Sequence, residues 1–566
     1  MRCYPRGVRR VRRACLFGLV ASLSWAQSPS LINLLTTEME RNFRVLREKG
    51  DPPPYFLSYS VTERDAYVVS ATLGCLLSSD MTHARLLDVT VRVGSPKLDN
   101  YHRLPGETTQ YSPSGLLPIE DTPSAIWRCL WWESDRAYRE AAERLIKIRT
   151  SSEVKAETEG SGADFSRENP SVHIEQPARL IVTRKDWENR VRRWSAQLSR
   201  YHDILTSSVT VILQQETKYL TTTEQTRLVH GQQRARILIS AHARAPDGAD
   251  LFNVETFDAF APEHLPDDTQ VLSAVGQLGE ELVRVVKAPQ VEPFAGPAIL
   301  SGQAAGVFFH EIFGHRVEGH RQKDESEGQT FSKSIDTAVL PEFLLVSFDP
   351  TCRTSNGVEL NGHYLYDDEG VAARRVLVVE NGILKNFLMS RSPVLQFDRS
   401  NGHGRRQPGF AVVSRQSNLI VTSTRQVSEQ RLREMLLEEV RRQHKPYGLY
   451  FRKVIGGYTQ TRRPGAQAFT VSPVLLYRVY PDGRQDELVQ GADIVGTPLT
   501  SLRKILMASD RSEVFNGYCS AESGSVPVAA VSPAVLIEEI EIQRKPKASD
   551  RPPLLPEPSL FKGVTE

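Results

Sequence analysis

Two imidazoles and a carboxylate lie close together in the stretch Gly306-Val-Phe-Phe-His310-Glu311-Ile-Phe-Gly314-His315-Arg-Val-Glu318-Gly-His320. Such a donor set suits one metal ion, with histidine nitrogens as ligands and a carboxylate beside it as proton acceptor. The usual zinc-protease spacing is His-Glu-x-x-His, which puts both histidines on one helical face. Here one more residue intervenes. Residues four apart on an α-helix sit about 40° apart around the axis, and residues five apart about 140°. Two nitrogens on one zinc must approach within roughly 3.5 Å, given Zn–N bonds of about 2.0–2.1 Å. The spacing therefore predicts a helix that widens into a π-turn or breaks between Phe309 and His315, with Gly314 easing the distortion. Spacing alone also leaves open a chance cluster among the chain's 13 histidines.

Other residues could extend or compete with this set. His320 follows His315 by five residues and is a rival ligand; Glu318 is placed to buttress a ligand rather than bind metal. Beyond the first 26 residues the cysteines are Cys75, Cys129, Cys352 and Cys519. They are scattered with no Cys-x-x-Cys, which excludes a zinc ribbon and a dense disulfide framework and leaves one bond among Cys75, Cys129 and Cys352 open. Asp367-Asp368-Glu369 reads either as a cation site or as a tight turn between strands. His363 and His403, beside glycines, are candidates to line a cleft.

At 566 residues the chain is too long for one core. A hydrophobic fraction of 40%, 24% charged residues and a net charge of +2 describe an ordinary globular composition, with no pull toward nucleic acid or anionic lipid. Helical periodicity marks Ile32–Gly50, Ser124–Ile148, Lys185–Tyr201 and Asp268–Ala288. Tyr55–Asp80 and Ala84–Ser95 read as strands with turn residues between them, and Ser207–Ala245 as antiparallel hairpins. A Pro-rich junction near Pro289 separates this part from one that is mostly β, with a single helix over Ser428–Gln443. The predicted class is α+β in two domains: an N-terminal mixed domain over 27–288, and a β-rich C-terminal domain over 289–546 that carries the His310 helix. Residues 547–566 read as a disordered tail, and the polar stretch 151–171 as a mobile loop.

Residues 1–26 combine Arg2, Arg6, Arg9, Arg10, Arg12 and Arg13 with the apolar run Ala14–Ala26. Ser24 and Ala26 are small residues suited to a cut before Gln27. The pattern predicts an exported chain, periplasmic or secreted, with no stable membrane anchor after cleavage. A cytoplasmic chain with a mis-assigned start is the alternative.

The segment HEIFGHRVEG resembles the His-Glu-x-x-x-His segment of the TldD/PmbA family of zinc metallopeptidases. YLYDDEGVAARRVLVVENGIL is similar to that family's Asp-Asp-Glu-Gly turn and following strand pair. GGYTQTRRPGAQAF resembles its Gly-Gly strand, and GYCSAESGSVPVAAVSPAVLIEEIEI its C-terminal block headed by a cysteine. The likeness spans roughly residues 296–542, with a weaker match near 54–74. It implies zinc held by His310, His315 and Cys519, with Glu311 as general base, in a peptidase acting on unfolded or extended peptides. His320 departs from the family, where an acidic residue is usual, so a place beside the ligands or on the surface is expected. Family members of this kind pair with a related subunit lacking the metal motif, which implies a heterodimer or homodimer. A non-catalytic partner subunit or binding module with a structural zinc is the alternative function. Substrate-binding residues are not indicated.

Overall fold

The computed structural model describes residues 30–104, 111–151, 162–324, 326–394, 396–463, 469–496 and 498–545. The expected leader over 1–26, the tail over 547–566 and residues 152–161 of the polar stretch 151–171 lie outside these residues.

Periodic apolar residues up to Gly50 form α1 (Leu31–Lys49), which buries Leu31, Leu34, Leu35 and Met39. β1 (Pro54–Thr72) and β2 (Cys75–Ser95) follow as one long hairpin. Its turn is at Leu73–Gly74, where φ is 47° and 87°, rather than beyond Asp80. Both central positions of a tight hairpin turn need positive φ, and glycine adopts it without steric cost. Then come β3 (Leu98–Asp99), β4 (Ser114–Leu117), α2 (Pro123–Thr150), β5 (Val172–Ile174) and α3 (Arg184–Ala196). The half closes with β6 (Ile204–Thr222), β7 (Arg227–Arg244), β8 (Asp250–Ala259) and α4 (Asp268–Lys287). Asp267 and Gln270 cap α4 reciprocally, satisfying donors that a helix start otherwise leaves unpaired.

These strands form an eight-stranded sheet in the order β3-β2-β1-β6-β7-β5, with β4 on β2 and β8 on β7. α1 and α2 bury Leu57, Tyr59, Leu87 and Val89 at one end. α3 and α4 bury Tyr67, Val69, Val209 and Ile237 at the other. Strand alternation thus supplies apolar surface where helices cover it.

The remaining chain builds a twelve-stranded sheet. Its main members are β9 (Phe294–Leu300), β10 (Leu344–Phe348), β11 (Val376–Glu380), β12 (Asn418–Ser423) and β13 (Gly448–Thr459). β14 (Phe469–Val479), β15 (Ala492–Val495), β16 (Ile505–Ala521) and β17 (Gly524–Arg544) complete them. β17 pairs with β9, β12, β15 and β16, and the path β17-β15-β14-β13-β9 returns to β17. The last strand among the described residues is therefore the hub of the sheet. Four helices attend it: α5 (Gly302–Ile312), the single turn α6 (His320–Lys323), α7 (Glu429–Arg442) in the region where one was expected, and the short α8 (Pro498–Arg503). Phe308, Phe309, Ile312 and Phe313 of the α5 segment are all buried in the core of this half. The molecule is α+β with a β-rich C-terminal half. Cys75, Cys129 and Cys352 are free, so no disulfide joins them.

Candidate metal centre

α5 is almost wholly buried, which its small and aromatic residues permit, and the Ser301 side chain caps it by accepting from the Ala304 amide. The helix stops at Ile312, and a 3₁₀ turn runs from Gly314 to Val317. The expected interruption is a break that tightens the chain, not a π-turn that widens it. Buried helix ends leave carbonyls without partners. Here Arg316 Nη1 donates to the carbonyls of Glu311 and Ile312, each at 3.0 Å.

The tightening is enforced at Gly314. A Cβ built there would lie 2.0 Å from Gln416 Oε1 and 2.4 Å from Gln416 Cδ. Gln416 is fully buried and its Nε2 donates to the His310 carbonyl at 3.2 Å, so it cannot swing aside. Gly314→Ala is expected to cost about 1–3 kcal/mol by overpacking. A lowered melting temperature and weakened metal uptake would be measured; an unchanged melting curve contradicts the close packing.

The break brings His310 and His315 together, their ring centroids 5.0 Å apart and their planes at 86°. Cys519, on β16, places Sγ 3.4 Å from His315 Nε2. One ligand-capable atom from each of His310, His315 and Cys519 lies within 4.8 Å of the others, and all three residues are buried. Among the described residues this is the one such grouping of three or more metal-ligating side chains. Tetrahedral zinc with bonds of about 2.0–2.1 Å to nitrogen and 2.3 Å to sulfur holds its ligand atoms roughly 3.5 Å apart. The 3.4 Å sulfur–nitrogen distance fits that geometry, and two nitrogens with a thiolate are a zinc donor set.

Electrostatics already favour a cation here. Burial alone would push the Cys519 thiol up, but His315, Arg415 and His310 outweigh it and hold the group well below its ordinary value. Burial would likewise depress His315, yet Cys519 and Glu318 keep it well above the ordinary histidine value. A thiolate beside an imidazolium is what a metal ion would find, and metal binding would displace the proton.

Glu318 is completely buried and accepts from His315 Nδ1 at 3.2 Å, leaving Nε2 to face Cys519. Burial opposes its charge, but His315 and Arg321 hold its carboxyl far below the usual carboxylate range. A carboxylate on the outer nitrogen fixes the tautomer and the ring orientation of a ligating histidine. Glu311 Oε2 lies 4.0 Å from His315 Nε2, close to the cluster. His320 is buried away from it: neither ring nitrogen makes a hydrogen bond, and Nε2 is 3.7 Å from Glu522.

The other candidates fall elsewhere. Asp367 accepts from the amides of Glu369 and Val371 in a turn closed by Gly370. Asp368 binds Lys218 and Glu369 accepts from the Arg391 amide, so the acidic run is a turn anchored by cations and backbone. His363 Nδ1 meets the Pro350 carbonyl, and His403 Nε2 meets Ser417 Oγ, outside the cleft. Sequence reasoning missed Arg415 and Gln416. Ser414 to Asn418 are five consecutive polar residues, each fully buried, and nothing in their types alone signals that.

The cluster opens into a cleft of about 1540 Å³ between the two sheets. Ile455–Thr459 of β13 form one wall, Val514–Ala521 of β16 another, and Val254–Asp258 of β8 a third. Among the described residues, 455–459 pair only with β14, 514–521 only with β17, and β8 only with β7. Three strands therefore present a free edge near the His-His-Cys cluster. Across the cleft, Arg236 lies 4.6 Å over the Tyr518 ring and is held by Asp258.

The buried His-His-Cys cluster, with a glutamate beside it at the foot of a cleft, is a donor set that suits a metal ion. Residues 295–544 match the PmbA/TldA metallopeptidase C-terminal domain, and this part of the chain is similar to proteins of the TldD/PmbA family. A metalloprotease of Methanocaldococcus jannaschii is 27% identical over 278 residues, 49% of this chain and 56% of the relative. A zinc metalloprotease TldD homolog of Saccharolobus solfataricus is 25% identical over 289 residues, 50% of this chain and 58% of the relative. The chain thus spans little more than half the length of these curated relatives. TldE of Thermococcus kodakarensis shares the fold with a TM-score of 0.58 at 13% identity, covering 89% of this chain and 100% of that one. So does a Thermotoga maritima protein described as a candidate modulator of a DNA gyrase, with a TM-score of 0.59 at 15% identity over 89% and 99%.

The expectation of export is corrected by these relatives, which are archaeal and bacterial TldD-type proteins. It rested on the Arg-rich and apolar composition of residues 1–26 alone, a pattern that composition can produce without a leader's function. Among the described residues no helix is long and apolar enough to cross a membrane.

Proposed function

We propose that the chain is a zinc-dependent peptidase acting on extended peptides. The observation that carries this reading is the convergence of His310, His315 and Cys519 within 4.8 Å at the foot of the cleft, with Glu311 beside them. A bound zinc supplies Lewis-acid polarisation of a scissile carbonyl and makes water acidic enough to lose a proton near neutral pH. His310, His315 and Cys519 would hold the ion through two nitrogens and a thiolate. Glu311 takes the proton from the attacking water and delivers it to the leaving amine. Glu318 keeps His315 oriented. The free strand edges suit a substrate bound as an added strand, in which main-chain hydrogen bonds give affinity with broad sequence tolerance. Purified chain assayed for metal content and for degradation of an unfolded peptide, with and without chelator, tests this. Absence of bound zinc, or degradation indifferent to chelation, overturns it.

A structural zinc needs a fourth protein ligand, for which His320 was the candidate. Its rings face Glu522 rather than the cluster. His320→Ala is accordingly expected to keep its metal, while Cys519→Ala loses it; the reverse result reassigns the site. The related fold of TldE supports a related chain as partner in a heterodimer, with a homodimer as the other arrangement.

A further inference from the structure

The metal centre comes from two pieces of chain that do not adjoin in sequence. His310 rides on the end of α5 and His315 on the 3₁₀ turn that follows it, while Cys519 rides on β16. Arg415 touches both. Its Nη2 donates to the Cys519 carbonyl at 2.6 Å, and its Nη1 donates to Ser523 Oγ and the Gly524 carbonyl, each at 2.9 Å. On its other side Nε faces Glu318 Oε1 at 3.5 Å. Neither of those two atoms makes a hydrogen bond, and both residues are fully buried. Glu318 Oε2 in turn receives His315 Nδ1 and Arg321 Nε.

We infer that Arg415 is a positioning residue that ties the cysteine strand to the carboxylate buttress of His315, so that the third ligand is set at binding distance from the first two. The inference rests on the metal-site reading above. The Arg415 guanidinium lies between the β16–β17 turn and the buried Glu318 carboxylate. Its planar fork spans two carbonyls, a hydroxyl and a carboxylate at once, which a lysine ammonium, a single point of charge, cannot do. Partners behind metal ligands typically set affinity by about 10–100-fold.

The test uses the full chain stripped of metal and titrated with cobalt(II) chloride, whose thiolate charge-transfer absorption reports the Cys519 bond separately from the ligand-field bands. Arg415→Lys keeps the charge and is expected to bind cobalt about 10–100-fold more weakly, with the thiolate band lost relative to the ligand-field bands. Ser523→Ala, which removes one anchor of Arg415 and no ligand contact, is expected to weaken the thiolate band in the same sense by less, in a folded chain. Circular dichroism accompanies both. A folded Arg415→Lys chain with parental affinity and a full thiolate band overturns the inference. Should Arg415→Lys fail to fold, Ser523→Ala decides: an unchanged thiolate band overturns it. A parent chain that takes up no cobalt overturns the metal-site reading and the inference with it.

Discussion

Zinc content of the Cys519→Ser chain is expected to fall close to zero, with peptidase activity lost and the fold retained. A serine hydroxyl is a far poorer zinc ligand than a thiolate at neutral pH. His315 and Glu318 would remain in place, but two histidines alone bind only weakly. The affinity loss should exceed the roughly 100-fold ceiling typical of changes behind the ligands. The fold should survive because Cys519 belongs to a small buried cluster with Val526 and Val528, where oxygen for sulfur removes little volume. Metal analysis by mass spectrometry after dialysis, beside a melting curve, checks both parts. Stoichiometric, tightly held zinc in this variant would falsify the three-ligand site.

Glu311→Gln should separate binding from chemistry. The amide is isosteric, and the Glu311 carbonyl that caps onto Arg316 is main chain, so the helix end is unaffected. Metal should be retained at parental stoichiometry. Turnover should drop by about 10²–10⁴-fold, because an amide cannot accept a proton from water. Near-normal turnover in a metal-loaded variant assigns the base to another residue.

The interruption after His310 was legible because it follows from helix geometry: residues five apart cannot share a face. Its form was not. Whether the chain widens or tightens depends on what packs against Gly314, and Gln416 lies 102 positions away in sequence (416 − 314). Helices with a clear apolar stripe, such as α1 and α4, were readable nearly to the residue because their signals are local: the stripe itself and Gly50 for α1, the Asp267–Gln270 cap for α4. The β1–β2 turn was misplaced because Ser78-Ser79-Asp80 is as turn-like by composition as Leu73-Gly74, and cross-strand pairing decided between them. Cys519 was found through the motif around it. Arg415 could not be, since an arginine in a Ser-Arg-Gln-Ser-Asn run reads as surface until its carboxylate and carbonyl partners are seen.

The contribution of the first sheet to the cleft was equally invisible. Arg236 and Asp258 are ordinary strand charges in sequence, yet they stand over Tyr518, next to the cysteine.

The position of β17 bears on how the site is assembled. It is the last strand among the described residues, yet it pairs with four others and lies at the centre of the second sheet. Everything built on that sheet depends on it, and β16, which bears Cys519, has β17 as its long partner. Without β17 the chain would display His310 and His315 but hold Cys519 on a strand that lacks this partner. Bringing Cys519 to the two histidines is thereby coupled to the pairing of β16 with β17, so a metal ion held by all three would also hold this sheet closed.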